Sequence, residues 1–110
     1  MANLKELSQR PELFSGGHRL CSGCGASIIA RQVMMAAADK PVVVANATGC
    51  LEVASTIYPY SAWKAPWFHS AFENAAASCS GIEAAYKSLK RSGKVSKDIR
   101  FIAFGRRRDV

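Results

Sequence analysis

Apolar residues recur along this chain in two different periods. Val42-Val43-Val44-Ala45 and the stretch from Ile99 to Phe104 are short, continuous apolar runs rich in β-branched and aromatic residues. That is the pattern of interior parallel strands. From Ala71 to Arg91 the period changes: Phe72, Ala75, Ala76, Cys79, Ile82, Tyr86 and Leu89 recur at spacings of three and four. This predicts one long helix with a single apolar face, terminated at Gly93. Ser27 to Ala38 is dense in helix formers and poor in polar breaks, which predicts a helix buried on most of its sides. A short helical turn is expected from Leu4 to Gln9, capped by Asn3 and ended by Pro11. A further helix is expected to begin near Leu51 and to stop at Pro59. The segment YPYSAWKAPWFH, aromatic and rich in proline, reads as an ordered loop.

Helix, strand, helix, helix, strand is an α/β order with a parallel sheet as its natural arrangement. Two convincing strands with apolar residues on both faces cannot cover themselves. The expectation is therefore the N-terminal part of a larger doubly wound parallel-sheet domain, truncated.

Composition narrows the classes. A chain of 110 residues, 49% hydrophobic and 21% charged, is a globular domain rather than a disordered segment. The formal charge is +7, but much of it lies on Lys87, Lys90, Arg91, Lys94 and Lys97, a solvated helix face, so no nucleic-acid partner is expected. No apolar run approaches the ~18 residues of a membrane span. The start, MANLKELSQRPELF, lacks the apolar segment of a secretory signal. A cytoplasmic protein with no membrane partner is expected. In that reducing compartment the four cysteines point to metal or redox chemistry rather than to disulfides.

Cys21-Ser22-Gly23-Cys24 is a CxxC pair whose turn can aim both sulfurs at one metal. Cys50 follows the first strand, at the carboxyl end where open α/β sheets bind ligands. Cys79 sits on the apolar face of the long helix and reads as a small buried hydrophobe. His18, in His18-x-x-Cys21-x-x-Cys24, is a further candidate, with hydrogen-bonding, substrate-side and plain surface roles open to it. Such a donor set suits tetrahedral zinc or an iron–sulfur cluster. Asn46-Ala47-Thr48-Gly49-Cys50, a strand leading through a glycine turn into a helix, can bind an anion or can be a simple capped turn.

In combination, HRLCSGCGAS, VVVANATGCLEVAS, YPYSAWKAPWFHSAFENAAA and SGIEAAYKSLKRSGK resemble the start of the β subunit in the pyruvate:ferredoxin oxidoreductase (pyruvate synthase) family, from about His18 to Gly105. The resemblance implies a thiamine-diphosphate-binding domain over residues 1–105 with a [4Fe-4S] cluster close to the thiamine. It implies oxidative decarboxylation of pyruvate to acetyl-coenzyme A, and the reverse, with electrons passing through the cluster to ferredoxin. Partner subunits, α and separate γ and δ chains where they occur, are implied too. Carried over position by position, Cys21, Cys24 and Cys50 match cluster ligands, and the fourth ligand falls beyond Val110. Thr48 and Gly49 would lie beside the cofactor, and the neighbourhood of His69 would line the active-site side. No catalytic residue is assigned. The alternative without catalysis is a small zinc-binding module of His18, Cys21, Cys24 and Cys50.

The ending departs from the family. Where its pattern continues Gly-Gly-Asp-Gly-Gly-Thr, with an aspartate for Mg²⁺, this chain reads Gly105-Arg106-Arg107-Arg108-Asp109-Val110. One legal coding, GGG CGA CGG CGG GAC GTA, gives Gly-Asp-Gly-Gly-Thr when read from its second base. Residues 106–110 are accordingly expected to be a frameshift tail, with a phosphate-binding arginine cluster as the rival. The chain alone is expected to be inactive. Resequencing the gene through this point decides the matter, since a genomic frame that never reaches the glycine-aspartate motif would make the arginines genuine.

Overall fold

The computed structural model describes residues 3–105. The 106–110 tail proposed above lies outside the described residues. Helix α1 (Leu4–Gln9) is capped as expected, the Asn3 side chain accepting the Glu6 N–H at 2.9 Å. Helix α2 (Gly25–Ala37) leads into strand β1 (Val42–Ala47), followed by α3 (Cys50–Ser55), β2 (Trp67–Ser70), α4 (Ala75–Arg91) and β3 (Arg100–Phe104). The three strands are parallel and ordered β2-β1-β3, an α/β architecture consistent with a truncated doubly wound sheet. Asn46 stands in register between His69 of β2 and Phe104 of β3.

Three expectations need correction. The aromatic loop contains a strand, β2, four residues long between Pro66 and Ala71. So short a segment carries no readable period, and its pairing with β1 decides its conformation. The long helix starts at Ala75 rather than Ala71, because residues 71–74 form a turn closed by the Asn74 N–H on the Ala71 carbonyl. Phe72 therefore lies in that turn and is 54% exposed. Finally, α2 is not buried on most sides. It buries one stripe, Ala30, Met34 and Ala37, while Ile28 and Ile29 are exposed. One face of one sheet covers only residues at helical repeat, and these three satisfy i, i+4, i+7.

The alternation along β1 sorts the two layers. Val42 and Val44 pack with Ala30, Met34, Ala37, Phe14 and Trp63 in the principal core. On the opposite face α4 runs across all three strands. There the Tyr86 and Phe101 rings meet at 5.6 Å and the Ser70 and Ser78 hydroxyls lie 3.0 Å apart. Gly93, at φ +78°, ends α4 in the left-handed conformation that glycine adopts without strain.

Candidate functional site

The chain leaves central β1 for β2 on one side, then crosses through α4 to β3 on the other. The carboxyl ends of β1 and β3 thus form a topological switch point, the crevice where open parallel sheets bind ligands. A cavity of about 320 Å³ opens there. Asn46 and Cys50 line one side and Phe104 and Gly105 the other, with Ala26 and Ile29 of α2 as its wall.

Of the cysteines, Cys50 lines this cavity, while Cys21 and Cys24 lie in the turn that precedes α2. Cys21 and Cys24 close a single turn, the Cys24 N–H donating to the Cys21 carbonyl at 3.0 Å. Gly23 supplies the required positive φ of 74°. Cys24 is the residue preceding α2, and its carbonyl accepts the Ser27 hydroxyl at 2.8 Å. Ala26, two residues on, lines the same cavity as Cys50, the first residue of α3. All these thiols are free; Cys21 and Cys50 are exposed and Cys24 half-buried. Soft thiolates of this kind suit an iron–sulfur group or zinc. Among the described residues, no three His, Cys, Asp or Glu side chains stand close enough to hold one ion. The thiols have the softness that an iron–sulfur group or zinc requires, but the described residues do not bring three donors together to hold one. For Mg²⁺ the fit is absent: Phe104 and Gly105, at the end of β3, offer no carboxylate.

His18 is engaged elsewhere. Its ring stacks on Phe14 at 5.2 Å and its Nδ1 accepts the Leu20 N–H at 3.3 Å. It faces a separate crevice of about 520 Å³ between the arm and α2, beside the Glu12–Arg31 pair. Cys79 is a buried residue of α4, and burial, with Glu83 nearby, pushes its thiol above the ordinary range.

Thr48 belongs to a polar chain that sequence reasoning did not assemble. Its Oγ1 lies 2.6 Å from His69 Nε2, and the other ring nitrogen, Nδ1, is 3.7 Å from the Glu52 carboxylate. Glu52 is buried on α3, while the imidazole is half-exposed. The second surprise is Asn46, only 2% exposed, whose Nδ2 has no hydrogen-bond partner. A signal for it was available: Asn46 continues the inward-facing positions Val42 and Val44, where an amide is out of place.

No family model matches the chain. Among curated relatives, it is 56% identical over 98 residues to pyruvate synthase subunit PorB of Methanocaldococcus jannaschii, an alignment covering 87% of this chain and 33% of the relative. With PorB of Thermotoga maritima the identity is 53% over 112 residues, covering 94% of the chain and 34% of the relative. The chain belongs to the PorB family. It spans about a third of the length of these PorB relatives. Ketoisovalerate oxidoreductase subunit VorB of Pyrococcus abyssi is also similar, at 46% over 78 residues and 71% of the chain, with 25% of VorB covered. The relatives are enzyme subunits by name, and in this PorB-family chain the switch-point crevice is lined by one of the cysteines, Cys50. No helix among the described residues is long and apolar enough to cross a membrane.

Proposed function

We propose that this chain contributes the cysteine-bearing, cofactor-facing part of a β subunit in a cytoplasmic pyruvate:ferredoxin oxidoreductase. The observation that carries the reading is the meeting of Cys50 with the helix that follows Cys24 at one switch-point cavity, in a chain 56% identical to a PorB subunit. Cys21, Cys24 and Cys50 would hold a [4Fe-4S] cluster, with a fourth ligand from outside these residues. Thr48 and Gly49 would border thiamine diphosphate. When bound, the thiamine supplies carbanion stabilisation for decarboxylating pyruvate, and the cluster supplies a one-electron route to ferredoxin, coenzyme A taking the acetyl group.

The protein's own part is positional. The Cys21–Cys24 turn sets two thiolates at one spacing, and Ala26, Ile29 and Phe104 keep the cavity wall apolar. The Thr48 hydroxyl and His69 Nε2 share a hydrogen bond at 2.6 Å, and the Glu52 carboxylate stands 3.7 Å from the other ring nitrogen. The similarity to VorB leaves a branched 2-oxoacid as a second substrate, and the higher identity to PorB favours pyruvate. Partner subunits would complete the enzyme, and the 110-residue chain by itself is expected to be inactive. Anaerobic reconstitution of a subunit of its relatives' full length with iron and sulfide tests the reading. A brown protein with the absorption of a [4Fe-4S] centre, lost when Cys50→Ala is introduced, is expected. Stoichiometric zinc without iron uptake would overturn it in favour of the zinc module.

A further inference from the structure

Away from the switch point, two loops are tied together at both ends and bow apart between the ties. The Ser15 N–H donates to the Ala62 carbonyl at 2.8 Å, and the Arg19 N–H donates to the Ala54 carbonyl at 3.0 Å. Between them Gly16 and Gly17 face the segment that leaves α3 through Ile57, Tyr60 and Ser61. A crevice of about 330 Å³ stays open there, within the range of small-molecule sites. It shares no lining residue with the switch-point cavity, although α3 serves both. Cys50 and Leu51 line that cavity, and Ala54 and Ser55 line this crevice.

The crevice offers donors and withholds acceptors. The carbonyls of Ala54, Ser55, Ile57 and Ala62 already accept the N–H groups of Arg19, Ala62, Tyr60 and Ser15, at distances between 2.7 and 3.0 Å. The Ser61 hydroxyl oxygen accepts the Trp63 N–H at 3.2 Å, which leaves its own proton to give. The backbone N–H groups of Gly16 and Gly17 make no hydrogen bond among the described residues. Arg19 is the strongest donor. Arg31 and Arg100 each grip a carboxylate through two nitrogens, and Arg10 bonds two carbonyls. The Arg19 side chain has no such partner among the described residues, although Arg19 lines the crevice. A planar guanidinium presents paired N–H groups that match two oxygens of a carboxylate or a phosphate.

We propose that this crevice binds the oxyanion of a small molecule, a carboxylate or a phosphate, with Arg19 as its two-point anchor and the Gly16 and Gly17 N–H groups and the Ser61 hydroxyl as further donors. The glycines suit that role. Gly17 stands at φ +95°, where any side chain would be strained, and without Cβ atoms an anion can approach the backbone closely. Ala54, Ile57 and Ala62 give the rest of the ligand a small apolar floor. The site does not depend on the cluster reading and stands whether or not the cysteines hold iron.

The test reads Arg19 directly in a subunit of its relatives' full length, assembled with its partners. Phenylglyoxal attacks exposed guanidinium groups, and mass spectrometry maps the modified arginines one by one. Arg91, also exposed and outside this crevice, is the internal control. Inorganic phosphate and pyruvate are the two probes. Modification of Arg19 is expected to slow about tenfold when the fitting probe reaches about ten times its Kd, with the rate at Arg91 unchanged. Protection by phosphate alone assigns a phosphate ligand, protection by pyruvate alone assigns a carboxylate, and protection by both supports a site for either oxyanion. An Arg19 rate unmoved by both probes overturns the proposal. Equal slowing at Arg91 overturns it too, because the anion would then act without a site. So does an Arg19 that is unreactive before any probe is added, which would mean that other parts of the assembly fill the crevice.

Discussion

The Ser55 hydroxyl accepts the indole N–H of Trp63 at 2.8 Å and donates to the Leu51 carbonyl at 2.6 Å, both residues being buried. Ser55→Ala would strand the indole donor in the core. In a subunit of its relatives' full length, denaturant unfolding should show a loss of about 1–3 kcal/mol, and a change under 0.5 kcal/mol, the range of ordinary surface substitutions, would show that the bond contributes nothing net. The cysteines make a second prediction at this scale. Exposed Cys21 and Cys50 should react quickly with iodoacetamide at neutral pH, whereas Cys79, buried and with its thiol pushed up, should react last. Mass-spectrometric mapping of the labelled positions checks the order. Single residues with strong chemistry were legible in the sequence: the CxxC pair, Cys50 and buried Cys79. Glu52 was not, because what singles it out is its approach to His69 from another element, which no spacing along the chain encodes; Asn46 was legible only as a polar residue on the inward-facing period of Val42 and Val44, its missing partner being a matter of tertiary packing.

Elements are joined here by exposed ion pairs at their ends. Arg31 of α2 grips Glu12 of the arm through two nitrogens, at 2.6 and 3.2 Å. Arg100 at the start of β3 grips Asp39 in the turn after α2, at 3.0 and 3.1 Å. Lys90 near the end of α4 pairs with Asp98 before β3. Hydrogen bonds from Arg31, Arg100 and Lys90 are the main reason Glu12, Asp39 and Asp98 are held below the usual carboxylate range. Carboxylates with folded pKa values below their unfolded ones stabilise the fold above the unfolded value, and that contribution disappears as pH falls through the folded value. Melting temperature should therefore stay level toward about pH 5 and decline below about pH 4. Asp39→Asn should soften the decline slightly, because pairs this exposed are worth little. A decline of unchanged steepness would locate the acid sensitivity elsewhere. Packing within elements makes a larger prediction. Met34 is fully buried on the inner stripe of α2, so Met34→Ala should cost about 2–5 kcal/mol, measured in the same full-length subunit. The helices and the two apolar strands were legible from periodicity. Strand β2 was not, because tertiary pairing forms it.

At the scale of the whole molecule, the chain exposes more surface than a self-sufficient domain of its size. Its accessible area is 7521 Å² for 11.9 kDa, against roughly 5,900 Å² expected for a folded monomer of that mass. Its radius of gyration, 14.6 Å, exceeds the value of about 13 Å for a compact domain of this length. Part of the excess is apolar: Ile28 and Ile29 on α2, Val53 on α3, and Tyr58 and Tyr60 in the loop that follows. The need for a cover was visible in the sequence as a sheet too small to bury both its faces. Which residues would stand uncovered was not, since that depends on how α2 rolls on β1. Uncovered apolar surface weakens the gap between native and loosened states and promotes association. The isolated 110-residue chain is therefore expected to bind a dye such as ANS, to run as oligomers in light-scattering chromatography, and to melt over a broad range. A strictly monomeric chain with a sharp transition and no dye binding would refute this, and would mean that the core around Met34, Val44 and Trp63 suffices for an independent domain.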